Sequence, residues 1–208
     1  DFYSEDLLAP YLGEQAEYAV TIEGTTSFTM THNDLYNYDK PIEFRNTDIV
    51  FKDNSVTHIT EGTSAVGMLF TDVPHELTTE DNEITNYKTG IANHIDYVFS
   101  YKGITFNMTG DKFNNNFRSI NFRNSISRYN SIKSGTFTNV SYGIIVQGTL
   151  PATPTSSPAP FIDPGQKITI RDNTMTGVRR IGIWTTNLTG SYAEPIGLEN
   201  KIPRILDN

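Results

Sequence analysis

Cysteine is absent from this 208-residue chain, so neither a disulfide nor a thiolate metal site contributes to it. Cations are few as well. With 16 Lys and Arg against 24 Asp and Glu, a net charge of −8, the chain lacks the clustered basic residues that gripping nucleic-acid phosphates requires. No nucleic acid partner is expected. No apolar run approaches the ~18 residues that cross a bilayer as a helix, so no membrane insertion is expected. Helical tracts rich in Ala or Leu are also missing. What is plentiful is Asn and Thr, with aromatics at 12%, a composition that favours strands and turns. The length fits one good-sized domain with a real core. The chain opens on Asp1, neither an initiator Met nor a basic signal-peptide start, and is read as a piece of a longer protein.

The sequence repeats itself. GTFTNVSYGIIV at 135–146 is echoed by NTMTGVRRIGIW at 173–184, with small turn residues and hydrophobic positions in nearly the same places. Anchored on Phe137, the pattern recurs with centres at Leu35, Val56, Ile84, Phe113, Phe137 and Met175, spaced 21, 28, 29, 24 and 38 residues apart. Two residues before the centres stand Asn33, Asn54, Asn82, Asp111, Gly135 and Asn173; two after stand Asn37, His58, Asn86, Asn115, Asn139 and Gly177. Most of these residue types enter the left-handed backbone region cheaply, so each copy reads as a short strand between two sharp bends. Three residues after the centre the chain is again mostly apolar, at Tyr38, Ile59, Tyr87, Val140 and Val178, with Asn116 the exception.

Alternating strands flank each copy. Upstream lie Phe28/Met30, Ile49/Phe51, Phe106/Met108 and Ile168/Ile170, with Leu77/Thr79 and Asn130/Ile132 as half matches. Downstream come Ile42-Glu43-Phe44, Met68-Leu69-Phe70, Ile120-Asn121-Phe122, Ile144-Ile145-Val146 and Ile181-Gly182-Ile183. A unit of three short strands cannot bury its own inner face, and stacking copies in parallel solves this by making one continuous core. Six turns at about 4.8 Å each predict a rod of about 29 Å.

The pattern [N/D/G]-x-Φ-x-[N/H/G]-Φ, followed by a strand such as Gly143-Ile144-Ile145-Val146, resembles the single-stranded right-handed parallel β-helix family of pectate lyases, polygalacturonases and bacteriophage tailspikes. The resemblance implies an all-β fold, a right-handed parallel β-helix (solenoid) of about six to seven coils. The expected organisation is an N-terminal cap and first partial coil over 1–27, the β-helix over 28–190 and the start of a further coil or C-terminal connection over 191–208. Ser4-Glu5-Asp6-Leu7-Leu8 reads as a helical start in the cap, and Ile196–Ile202 as a further turn. The family also suggests an internal Asn ladder, assigned to Asn37, Asn86, Asn115 and Asn139, with His58 and Gly177 interrupting it. Assigning Asn139 to the interior argues against its use as a glycosylation sequon. The segment 149–166 holds five of the ten prolines and is no core strand: it is either a stiff solvent loop or a wall beside a groove or a lid.

For chemistry the sequence offers little. No nucleotide loop, zinc spacing or nucleophile elbow occurs, and His32, His58, His75 and His94 lack a close i, i+4 pair, so neither metal nor cofactor is expected. Asp53-Asn54, Asp81-Asn82 and Asp172-Asn173 are carboxylates explained by turn chemistry. More informative are the outward positions of the downstream strands: Glu43 and Arg45, Asn121 and Arg123, Ile145 and Gln147, Gly182 and the single tryptophan, Trp184. Acid, guanidinium, amide and indole in one row suit a sugar, whose flat faces stack on rings and whose hydroxyls take bidentate partners. The substrate-binding set is thus Glu43, Arg45, Asn121, Arg123, Gln147 and Trp184; the other reading is scattered surface residues, with Trp184 covered by a neighbouring subunit or the proline segment. Catalytic residues stay unassigned, because hydrolysis asks for two carboxylates ~5 to 9.5 Å apart and Glu43 has no acidic companion in its row, while elimination asks for a base beside a cation, for which Arg118, Arg123 and Lys102 compete.

Three functions are carried forward. The first, implied by the resemblance, is a module of a phage tailspike or tail appendage, extracellular on the virion tail and homotrimeric, that binds a bacterial surface polysaccharide. The second is a polysaccharide depolymerase, hydrolase or lyase. The third is a structural spacer of a virion or surface fibre.

Overall fold

The computed structural model describes residues 2–3, 19–24, 27–59, 65–71, 76–94, 105–123, 129–147, 167–186 and 204–206. The helical start at 4–8, the proline segment 149–166 and the further turn at 196–202 lie outside them. The chain runs β1 (Phe2–Tyr3), β2 (Val20–Glu23), β3 (Ser27–Thr31), β4 (Asp34–Tyr36), β5 (Ile42–Arg45), β6 (Asp48–Lys52) and β7 (Ser55–Thr57). It continues through β8 (Val66–Thr71), β9 (Glu76–Glu80), β10 (Glu83–Thr85), β11 (Thr89–His94), β12 (Thr105–Thr109), β13 (Lys112–Asn114) and β14 (Arg118–Arg123). Last come β15 (Tyr129–Lys133), β16 (Thr136–Thr138), β17 (Tyr142–Gln147), β18 (Lys167–Arg171), β19 (Thr174–Thr176), β20 (Ile181–Thr186) and β21 (Arg204–Leu206). No helix occurs among the described residues.

These strands form three sheets of seven, each parallel throughout: β1-β4-β7-β10-β13-β16-β19, β2-β5-β8-β11-β14-β17-β20 and β3-β6-β9-β12-β15-β18-β21. The chain visits first, second and third sheet in fixed rotation, an arrangement consistent with a parallel β-solenoid. All six predicted centres fall in one register column of the first sheet, Leu35, Val56, Ile84, Phe113, Phe137 and Met175. Phe113 and Phe137 stack face to face at 5.1 Å and 8°. The upstream pairs likewise align in the third sheet, half matches included. Residues of all three sheets join one hydrophobic cluster, so the sheets share a single core.

One predicted alignment shifts. Ile183, not Ile181, pairs with Ile144, while Ile181 pairs with Tyr142 and is 41% exposed. The physical reason is one extra residue: Val178-Arg179-Arg180 fills the bend that Val140-Ser141 fills one level earlier. The second sheet also contains β11, whose Ile91 continues the core column between Met68 and Ile120.

The two bends of each copy are built differently. From the third sheet to the first, every crossing uses two residues: His32–Asn33, Asp53–Asn54, Asp81–Asn82, Gly110–Asp111, Ser134–Gly135 and Asp172–Asn173. The first of each pair takes the left-handed conformation, at φ 58, 52, 55, 72, 54 and 56°. This is the turn role expected of Asp53, Asp81 and Asp172. The second residue turns its side chain inward, and here, not at Asn37, Asn86, Asn115 and Asn139, lies the buried ladder. Asn33 N and Nδ2 donate to Asn54 Oδ1 at 3.0 and 3.1 Å. Asn54 repeats this toward Asn82 Oδ1 at 2.9 and 3.2 Å, and Asn82 toward Asp111 Oδ1 at 3.1 and 2.8 Å. Each amide also donates to a backbone carbonyl, Asn82 Nδ2 to Phe51 O at 2.8 Å for example, so both ends of the side chain are used.

At Asp111 the ladder ends. A carboxylate only accepts, and the next position is Gly135, which offers no side chain to accept from a donor; Gly135 N then donates to Asn173 Oδ1 at 2.8 Å and the column resumes. Asp111 is almost wholly buried, and burial pushes its pKa up to about 6 even though Thr79 Oγ1 and both Asn82 donors bond to it and favour the charged form.

At the other bend Asn37, Asn86, Asn115, Asn139 and Gly177 themselves are left-handed, at φ 63, 67, 53, 55 and 67°. Asn139 is exposed and Asn86 and Asn115 partly so, while Asn37 is buried. The following position faces the core at Tyr38, Tyr87 and Val140, but Ile59 is 45% exposed. The exception Asn116 is buried, its Oδ1 taking the Tyr87 N–H at 2.7 Å and its Nδ2 donating to Ile84 O at 2.8 Å. Just beyond stands a column of Gly67, Gly90, Ser119, Gly143 and Gly182. A Cβ on Gly90 would lie 2.7 Å from Ser119 O and 3.1 Å from the Phe113 ring, and one on Gly143 2.5 Å from Gly182 O. This is why the second-sheet strands open with Gly: the backbone corner meets its own copy too closely for most side chains.

Candidate functional site

Past the glycine corner the second-sheet strands alternate. Ile120 and Phe122 enter the core, so Asn121 between them faces away. Its register partners define a column of Thr21, Glu43, Leu69, Ala92, Asn121, Ile145 and Trp184. Two residues on, Glu23, Arg45, Thr71 and His94 follow in register, and Arg123, Gln147 and Thr186 make a second run. Glu43, Asn121 and Trp184 therefore share one file, and Arg45, Arg123 and Gln147 occupy the neighbouring position of their strands. Trp184 aligns with Ile145, not with Gln147, because of the same extra residue in the preceding bend. Arg123 and Gln147 are placed by backbone register only.

The file is not open along its length. Glu43 is 4% exposed, Ala92 and Ile145 are buried, and Leu69 and Asn121 are partly covered; only its two ends, Thr21 and Trp184, are exposed, Trp184 at 46%. Glu43 is held in place. Arg45 Nη2 donates to both carboxylate oxygens at 3.1 Å, and Thr71 Oγ1 lies 3.4 Å from Oε1. A carboxylate so engaged does not present itself to a sugar hydroxyl, but its charge is fixed beside a cation on a rigid strand. Register also supplies what the sequence row lacked. Glu23 stands opposite Arg45, diagonal to Glu43, at a backbone separation of about 8 Å given ~4.8 Å between strands and ~3.3 Å per residue.

At the bend leading into the second sheet a different cluster gathers that no row pattern indicated. Arg118 lies over the Phe117 ring at 5.0 Å, and Arg180 lies 5.6 Å from the Phe117 ring and 5.7 Å from the Tyr142 ring. Phe117 and Tyr142 meet edge to face at 5.5 Å, and Arg180 Nη1 donates to Tyr142 Oη at 3.2 Å. Lys88 precedes them on the adjacent strand level, exposed, its carbonyl accepting from Arg118 N at 2.9 Å. Among the described residues no carboxylate pairs with Lys88, Arg118 or Arg180. The signal available in the sequence was a basic or aromatic residue at each entry to a downstream strand: Lys88, Phe117-Arg118, Tyr142, Arg179-Arg180.

The remaining polar groups are structural in their contacts. His58 is buried, its Nε2 3.3 Å from Asp39 Oδ1 and its ring edge-on to Tyr87 at 5.7 Å. Tyr87 Oη donates to Tyr38 O at 3.2 Å, and burial, with Asp39 nearby, raises its pKa. Lys52 is partly exposed and pairs with Glu80, which raises the lysine pKa. Among the described residues no three of His, Cys, Asp and Glu converge as metal ligands would. Compared with protein-family models, with curated proteins and with solved structures, the chain matches none of them.

Proposed function

We propose that this chain is a right-handed, closed parallel β-helix of about six to seven coils and a module of a phage tailspike or tail appendage. It works outside the cell on the virion tail, as a homotrimer, and binds a bacterial surface polysaccharide. The observation that carries the reading is Trp184: a half-exposed indole on a rigid strand, in file with the amide of Asn121. An aromatic face with a polar neighbour at fixed spacing is what stacking on a pyranose demands. Strands hold such groups more firmly than loops do. The test is a panel of capsule and O-antigen preparations. A shift of the Trp184 fluorescence, with no new reducing ends and no unsaturated-uronate absorbance, is expected. Trp184→Ala should weaken retention on the recognised polymer on the order of tenfold or more; unchanged retention removes Trp184 from the site.

The depolymerase reading, hydrolase or lyase, has one observation behind it: Glu23 and Glu43 stand on adjacent strands of one outward face, their backbones about 8 Å apart. Reducing ends that accumulate with the intact chain and vanish in Glu43→Gln support it; a silent assay leaves binding.

A further inference from the structure

Lys88, Arg118 and Arg180 form a cationic strip on a chain of net charge −8. They sit on three of four successive levels of the second sheet, Tyr142 holding the other, over about 14 Å at ~4.8 Å per level. Surface arginines on acidic proteins ordinarily find carboxylates. Here Arg118 and Arg180 instead stack on Phe117 and Tyr142. A guanidinium lying over a ring keeps its N–H edge turned outward, pre-organised to take a carboxylate with two parallel hydrogen bonds. Arg180 commits Nη1 to Tyr142 Oη and has further donors left. The rings add apolar surface beside the charges, and exposed Ile181 leads from the strip to Trp184, about 13 Å from Arg180 along the strand at ~3.3 Å per residue.

We propose that the strip of Lys88, Phe117, Arg118, Tyr142 and Arg180 is a binding site for the carboxylates of an acidic polysaccharide that runs on toward Trp184. Polyanion recognition by rings and charges also suits single-stranded nucleic acid. The net charge of −8 repels any polyanion, and the strip is short; its continuation toward Trp184, read above as a glycan face, favours a polymer with flat sugar faces, and the oligonucleotide is the competing outcome of the test. The inference rests on the glycan-binding reading above and narrows its ligand to acidic polymers.

The experiment measures retention of the whole chain on immobilised polygalacturonate, hyaluronan, alginate and polysialic acid, on neutral dextran, mannan and methyl-esterified pectin, and on a single-stranded oligonucleotide. Expected is retention on at least one acidic glycan, removed by added salt and weakened on the order of tenfold for each guanidinium lost in Arg118→Ala and Arg180→Ala. If the alanine pair does not fold, Arg118→Lys with Arg180→Lys carries the test: the point charge stays, the bidentate fork goes, and retention should fall while remaining salt-sensitive. Retention on neutral polymers alone, dependent on Trp184, overturns the acidic strip and leaves the glycan face standing. Acidic retention that both double variants preserve overturns it too, as does equal retention on the oligonucleotide. Silence on every polymer overturns both readings.

Discussion

The two bends of each repeat are both rich in Asn and put it to opposite uses. At the crossing from third to first sheet, the left-handed residue comes first and the amide after it points inward, where Asn33, Asn54, Asn82 and Asp111 bond level to level. At the crossing from first to second sheet, the Asn itself is left-handed, the side chains of Asn86, Asn115 and Asn139 stay near the surface while Asn37 is buried, and the residues beyond include Phe117, Arg118, Tyr142 and Arg180. A shift of one residue in which position carries positive φ decides whether a bend builds the interior or the exterior. The amide ladder lies at one bend of the repeat and the ring-stacked arginines at the other.

The largest break in that contrast is Asn82→Leu. It leaves Asn54 N and Nδ2 with one acceptor fewer and Phe51 O without its Asn82 donor, inside a buried column. At about 1–3 kcal/mol for each buried group left unsatisfied, a loss of roughly 4 kcal/mol is expected in urea unfolding; a change under about 1 kcal/mol means the ladder is not what holds the bend.

Asp111→Asn sharpens it through pH. Burial raises the folded-state pKa from 3.8 to about 6, so the folded chain holds this proton more tightly than the unfolded one. The stability it contributes is complete below about pH 4 and is lost as pH rises through about 6, a fall of roughly 3 kcal/mol. Asn cannot lose a proton, and its amide can donate to the Thr79 hydroxyl, which turns to accept. The variant should match the parent near pH 4 and exceed it near pH 7.5; a difference that ignores pH contradicts the buried charge.

The smallest effect belongs to the outer bend. Asn115→Ala puts a Cβ-bearing residue without a local polar partner at φ 53°, an expected loss of about 1 kcal/mol, whereas Asn115→Gly should be near neutral. Equal losses in both would show that the Asn115 side chain, not its backbone angle, is what matters there.

Much of the fold could be read from the sequence because its strongest signal is local. A hydrophobic centre flanked by turn residues fixes strand, bend and inward face together, and all six centres aligned. The ladder was assigned to the wrong column because both bends are written in Asn, and which amide points inward depends on the φ of its neighbour. Ile181 and Trp184 were misaligned because Arg179-Arg180 lengthens one bend by a residue with no change of pattern. Strand alternation placed Glu43, Asn121 and Ile145 in one file, yet the burial of Glu43, Ala92 and Ile145 is not a property of their own strand. Arg118 was named only as one of three competing cations, and its grouping with Phe117, Tyr142 and Arg180 was missed because residues from three levels meet only once the sheet exists.

One feature of the chain path bears on how it can be altered. Crossings from third to first sheet are always two residues, while those from second to third range from the pair Asn46–Thr47 to the whole of 148–166. A codon added between Lys52 and Ser55 would throw the amides out of step and propagate through the stack. A foreign epitope spliced into 148–166 would lengthen a connection that already departs from the repeat, which marks that corner as the natural port for grafting new specificities onto an unchanged frame.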